Sequence, residues 1–164
     1  MSNVADLGQT GSRPPSAVIN TNNGPSEEDL VEFTVTAPVL DNVPIFPGQA
    51  LFSVTFGGYH VLPAVADGSQ SGLIVGLALN ESPGNNAPVT YQFAGIVELT
   101  EAQWQTVTVG NTGLVPGAPY YVSDSVDRLT SVTPTTPGHQ VILIGYAIST
   151  TELQLSIQYP QTVA

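Results

Sequence analysis

Leu153-Gln154-Leu155-Ser156-Ile157-Gln158-Tyr159 alternates apolar and polar side chains without a fault. Successive side chains of an extended strand point to opposite faces. One face of this segment is therefore expected to pack on a core, and the other carries only neutral polar groups. Just upstream, Val141-Ile142-Leu143-Ile144-Gly145-Tyr146-Ala147-Ile148 is apolar throughout, and so is Leu73-Ile74-Val75-Gly76-Leu77-Ala78-Leu79. Strands covered on both faces read this way. Tyr91 to Val97 resumes the strand pattern. Phe52-Ser53-Val54-Thr55-Phe56 and Glu32-Phe33-Thr34-Val35-Thr36 alternate again. Pro38, Pro44 and Pro47, followed by Gly48, mark a loop or an edge, because proline cannot donate to a ladder.

Short strands separated by turn signals predict an all-β fold, a small β-barrel or sandwich. One short helical turn near residues 100–104 interrupts it. Thr100-Glu101-Ala102-Gln103 has capping-box spacing, which would pin Trp104 toward the core. The body is expected to run over residues 30–164. Residues 30–66 either form a separate small lobe or complete the barrel.

Residues 1–29 differ in kind. They are rich in Ser, Asn, Gly, Pro and Thr and end in Glu27-Glu28-Asp29. Val4, Leu7, Val18 and Ile19 are too few apolar residues to fold this stretch alone. It reads as an extended N-terminal arm that gains order against another chain. Fully extended, it would reach about 90–100 Å.

Charged residues make up 9% of the chain, against roughly 25% in ordinary domains. There is no Lys, and Arg13 and Arg128 face thirteen carboxylates, for a net charge of -11. Binding of phosphate needs clustered cations, so nucleic acid and anionic lipid are not expected partners. No Cys is present for a disulfide or thiolate metal site. Met1-Ser2-Asn3-Val4-Ala5-Asp6 lacks the pattern of a secretion signal. The apolar runs are about one strand long, well short of the roughly 20 residues that span a bilayer, so no membrane is expected either. A charge-poor surface of Thr, Ser, Asn and Gln suits packing against other copies or other proteins, because it avoids burying unpaired ions.

Chemistry-bearing residues are sparse. His60 and His139 have neither a nucleophile elbow nor a carboxylate at motif spacing, and read as strand-edge histidines. Asp124 and Asp127 flank a loop with Ser123 and Ser125, whose oxygens would suit Ca²⁺. The full spacing of a calcium loop is missing. They read as turn carboxylates, with Asp127 pairing with Arg128. Tyr91, Trp104, Tyr120 and Tyr121 could form a sugar platform but sit at positions expected to point inward. No catalytic residue, metal or cofactor is expected, and the chain reads as a non-enzyme.

Gly113-Leu114-Val115-Pro116-Gly117-Ala118-Pro119-Tyr120-Tyr121-Val122-Ser123 is a turn leading into a Tyr-Tyr strand. Leu129-Thr130, a Pro/Thr loop from Thr133 to Gly138, Gly145-Tyr146-Ala147-Ile148-Ser149 and a closing strand from Leu153 to Ile157 follow. Gly76-Leu77-Ala78 and Gly95-Ile96-Val97 precede it. This succession, over residues 67–159, resembles the tailed-phage capsid decoration (cement) and head-fibre β-barrel protein family. It departs at Val126-Asp127-Arg128, where the family often carries a Gly-Gly step.

The resemblance implies a virion structural protein, a homotrimer on the outer surface of a bacteriophage capsid. Its partner would be the major capsid protein. The arm would then lie along the shell, anchored by Val4, Leu7, Val18 and Ile19, with Arg13 against a capsid carboxylate. The alternative is a receptor- or glycan-binding module of a head or tail fibre.

Overall fold

Two sheets with the same strand order account for most of the regular structure of the described residues. In the computed structural model, which describes residues 33–55, 57–70 and 73–164, β1 (Thr34–Pro38), β2 (Ala50–Val54), β3 (His60–Pro63), β4 (Ile74–Ala78) and β5 (Pro88–Gln92) form one antiparallel sheet. Its order is β1-β5-β4-β2-β3. The second comprises β6 (Ile96–Glu98), β7 (Pro119–Val122), β8 (Leu129–Thr130), β10 (Leu143–Ala147) and β11 (Glu152–Leu155). Its order is β6-β11-β10-β7-β8. β9 (Gln140–Val141) and β12 (Gln161–Thr162) pair as a short ribbon. The fold is all-β, a sandwich rather than a closed barrel. No helix among the described residues is long and apolar enough to cross a membrane.

The two sheets are copies of one module, a relation that alternation along single strands does not reveal. β2 and β4 pair as Ala50↔Leu77, Leu51↔Gly76 and Phe52↔Ile74, with a register shift. β7 and β10 pair as Pro119↔Tyr146, Tyr120↔Gly145 and Tyr121↔Leu143, with the same shift. The entering turns match as well. Phe46-Pro47-Gly48-Gln49 corresponds to Val115-Pro116-Gly117-Ala118, at the same spacing as Gly76 and Gly145. Gly48 N–H donates to Ala78 O, and Gly117 N–H to Ala147 O, each at 2.8 Å. Ser53 N–H donates to Leu73 O and Val122 N–H to Ile142 O at equivalent points. Gly76 and Gly145 hold the bulges. A Cβ at either would overlap a main-chain carbonyl oxygen, of Gln92 and Gln154 respectively.

One parallel bridge in each module runs from the segment after the first strand to the third, Val39↔Val61 in the first module and, beyond the helix, Thr108↔Leu129 in the second. The modules differ in what lies between β-elements. Where the first has only Pro38 before Val39, the second inserts Thr100 and α1 (Glu101–Val107) before Thr108. Both capping-box bonds form: Gln103 N–H donates to Thr100 Oγ1 at 3.2 Å, and Thr100 N–H to Gln103 Oε1 at 2.9 Å. Trp104 is fully buried, and its Nε1–H donates to Thr151 O at 2.9 Å. The first module instead has a longer β4–β5 connection, whose Ser82 pairs with Ile45.

Two cores result. Ala37, Val39, Ile45, Leu51, Val61, Ala78, Val89 and Tyr91 fill the first module. Trp104, Tyr120, Leu129, Ile144 and Leu153 belong to the larger core, which also takes Ala50, Phe52 and Leu77 from the other face of the first sheet. The first sheet is therefore covered on both faces, as its apolar β4 foretold. Gly48 lies against α1, where a Cβ would sit 2.8 Å from Val107 Cγ2 and 3.1 Å from the Trp104 ring.

Several sequence expectations need correction. Tyr91 to Val97 is not one strand: β5 ends at Gln92 and β6 begins at Ile96, in the other sheet. The apolar run from Val141 to Ile148 is not wholly buried, since Tyr146 and Ile148 are 47% and 49% exposed. The alternation from Leu153 ends as a strand at Leu155, and Tyr159 is the most exposed aromatic of the described residues. β1 overhangs the core, leaving Phe33 and Val35 exposed although their phase matches the buried Ala37.

Candidate functional site

Val4, Leu7, Arg13, Val18 and Ile19 lie outside the described residues. What can be built from the described chain is three surface features: a loop cluster, a groove and a sheet face.

The loop cluster brings Asp124, one of the carboxylates weighed as a calcium loop, together with His139 and Asp67. His139 Nδ1 lies 3.2 Å from Asp124 Oδ2. The Thr136 hydroxyl does most to hold the Asp124 carboxyl below its usual range; burial opposes it, and the hydrogen bond and charge of His139 lower it further. Asp67 is lowered chiefly by the Ser69 hydroxyl and backbone N–H, with His139 adding a weaker pull. The Asp67 and His139 loops touch, because a Cβ on Gly68 would lie 2.8 Å from Gly138 O. Asp127 does not join them. Its Oδ2 accepts from Gln49 Nε2 at 3.0 Å, which ties the loop at Val126-Asp127-Arg128 to the first module. Nor does Asp127 pair with Arg128, whose Nη1 donates to Asn111 Oδ1 at 2.9 Å. No group of three or more potential metal ligands occurs among the described residues. The cluster's chemistry is that of a clamp: it fastens the segment after β3 to the β9 region, where Ala66 also bonds Ser123 and Gln140. His60 stands apart, with Nδ1 at 3.3 Å from Gly58 O.

The groove, about 260 Å³, is lined by Leu73, Ile74, Val75, Phe93, Ile157, Gln158, Tyr159 and Pro160. Phe33 stands edge-on to Phe93, with ring centroids 5.9 Å apart. These aromatics are not those the sequence offered as a sugar platform. Trp104, Tyr120 and Tyr91 are buried. The Tyr120 hydroxyl donates to Gly113 O and accepts from Val115 N–H, locking the turn before β7. The Tyr91 hydroxyl meets Tyr59 at 2.7 Å, and burial pushes its pKa up. Periodicity placed Phe93 and Tyr159 within strands, but β5 ends at Gln92 and β11 at Leu155, and both aromatics are exposed beyond those ends.

The sheet face is the outward side of the second module. Pro119, Tyr146, Gln154 and Ile96 lie directly opposite one another on β7, β10, β11 and β6. Tyr146 and Ile96 are 47% and 46% exposed, and Ile148 follows two residues on from Tyr146. Glu98 and Glu152 stand opposite each other at one end of this face.

No protein-family model matches the chain, and no curated protein sequence matches it.

Proposed function

We propose that this chain is a non-enzymatic virion structural protein that decorates and stabilises the outside of a phage capsid by bridging capsomers. The observation that supports it most is how the resembling motif folds. Its two distant parts meet as one unit, the Val115–Ala118 turn against Ala147 and the Tyr120 strand against the Gly145 bulge. That unit leaves Tyr146 and Ile148 on an open face rather than around a reaction centre. The protein would act mechanically. Contact area added across capsomer boundaries stabilises the assembled shell by mass action. Residues 1–29 would extend the contact, with Val4, Leu7, Val18 and Ile19 as anchors and Arg13 against a carboxylate of the major capsid protein. In this reading the protein is a homotrimer on the outer capsid surface, and its acidic body keeps virions mutually repelling.

The test compares the full chain with one lacking residues 1–29 on capsids assembled without this protein. The full chain is expected to bind and raise the temperature of capsid disruption, and the truncated chain to bind far more weakly. Equal occupancy and heat resistance would remove the arm from the reading, and no binding by the full chain would remove the reading itself.

One observation favours the alternative of a glycan-binding fibre module. The groove presents Phe93 and Tyr159, and aromatic faces of this kind stack on sugar rings. Specific hits on a glycan array that vanish in Tyr159→Ala would establish it.

A further inference from the structure

We propose that the outward face of the second sheet is a docking surface for a protein partner with an apolar centre and a Lys or Arg at one edge. The inference rests on the decoration reading, in which that partner is the capsid shell.

Pro119, Tyr146, Gln154 and Ile96 of the second module occupy the positions of Ala50, Leu77, Gln92 and Thr34 in the first. In the first module this face is covered. Ala50 and Leu77 are 4% and 0% exposed, in the core they share with Trp104 and Val107. In the second module the same face is open. Three substitutions run opposite to what a solvated face requires: Tyr146 for Leu77, Ile96 for Thr34 and Ile148 for Leu79 keep or add apolar bulk where water now lies, while Glu98 and Glu152 replace Thr36 and Thr90 at one end. The turn glycine tells the same story. Gly48 lies under Val107 and Trp104, whereas Gly117 has open space where a Cβ would be. A face inherited in a form that packs on protein has kept that character without a cover.

Charge specifies the cover. Glu98 and Glu152 sit directly opposite on β6 and β11, and both have the outward phase of Ile96 and Gln154. Like charges directly opposite destabilise a pair of strands. A cation set between them relieves that repulsion and fixes the partner's orientation. Glu98 also edges a shallow depression formed with Leu99, Thr100, Gln103 and Thr151. A second copy of this chain is poorly suited to supply it. Each copy brings thirteen carboxylates and two arginines, and Arg128 already donates to Asn111.

The experiment uses the full chain and capsids assembled without it, with occupancy read by co-sedimentation. Tyr146→Asp combined with Ile148→Asp is expected to weaken binding at least about tenfold, while Tyr159→Asp, in the separate groove, leaves it unchanged. Glu98→Lys is the sharper variant. It replaces a like-charge pair by an opposite-charge pair, so the thermal midpoint is expected to hold or rise while binding falls. A purely structural role would move both in the same direction. If Tyr146→Asp unfolds the chain by circular dichroism, Ile148→Asp alone carries the comparison. Wild-type binding that all these variants retain would overturn the inference and leave the decoration reading standing. Absence of wild-type binding would overturn both. Self-association of the chain in solution that Tyr146→Asp abolishes would assign the face to a second copy and overturn the inference.

Discussion

The two modules share strand order, bulge and entering turn, yet one has a small sealed interior and the other a large one with an open back. The first is filled by Ala37, Val39, Ala78 and Val89 around Tyr91. The second takes Leu114, Tyr120, Ile144 and Leu153, and adds Trp104 and Val107 from an inserted helix. Their common frame depends on features with little hydrophobic signal, a Pro-Gly turn and a bulge glycine. Their differences lie in side-chain size, in the helix inserted in the second and in the longer β4–β5 connection of the first. The frame thus sets the backbone, and the insertion sets which module is covered and which faces outward.

The two modules share the larger core and are expected to unfold as one cooperative unit, which Trp104 tests most directly. Its ring fills the second core and touches Gly48 of the first. Trp104→Ala is expected to cost about 3–5 kcal/mol and to move a single calorimetric transition. Two separated transitions would show the modules unfolding independently. The bulge glycines come next. Gly76→Ala and Gly145→Ala each force a methyl group into a main-chain carbonyl, at an expected cost of about 3 kcal/mol. Denaturant unfolding should give similar losses for both. A large loss in one and none in the other would break the equivalence of the modules.

A smaller effect separates the two buried tyrosines. Tyr120→Phe removes a hydroxyl that bonds two main-chain groups of one turn, and is expected to cost about 1–2 kcal/mol. Tyr91→Phe loses a bond to the half-exposed Tyr59, which can turn to water, so its cost should stay below about 1 kcal/mol. Equal values would mean that the Tyr120 turn contributes nothing special to the second module.

Strand positions were legible where one face was buried and the other solvated, as at Leu153 and Leu155, or where both were covered, as in β4. The helix was legible because Thr100 and Gln103 are a local device with its own spacing. The duplication was not, since the matching positions pair Leu51 with Tyr120 and Phe52 with Tyr121, and α1 shifts the spacing between copies. Alternation also reports only that side chains point two ways. It does not say which face has a cover, so Tyr146 and Ile148 read as buried. The Asp127 contact failed for a related reason: adjacency in sequence favoured Arg128, but folding brings Gln49 closer. Residues 1–29, which carry the arm expectation, lie outside the described structure.

The smallest expected effect concerns the clamp between the modules. The Asp124 carboxyl is held below its ordinary value of 3.8 by Thr136 and His139. A carboxylate with a depressed folded-state pKa contributes stability that is fully present above the unfolded value and is lost as pH falls through the folded one. Asp124→Asn should therefore lower stability above pH 3.8, and the gap to wild type should close as pH falls below that value. The side chains are partly exposed, at 21% for Asp124 and 29% for His139, so solvent screening keeps the gap small and added salt should shrink it further. Urea unfolding of both proteins from pH 2 to 7 measures it. A gap that widens as pH falls below 3.8 would mean that the carboxylate destabilises the fold rather than holding it, and that the Asp124–His139 contact does not fasten the loop after β7 to the segment before β9.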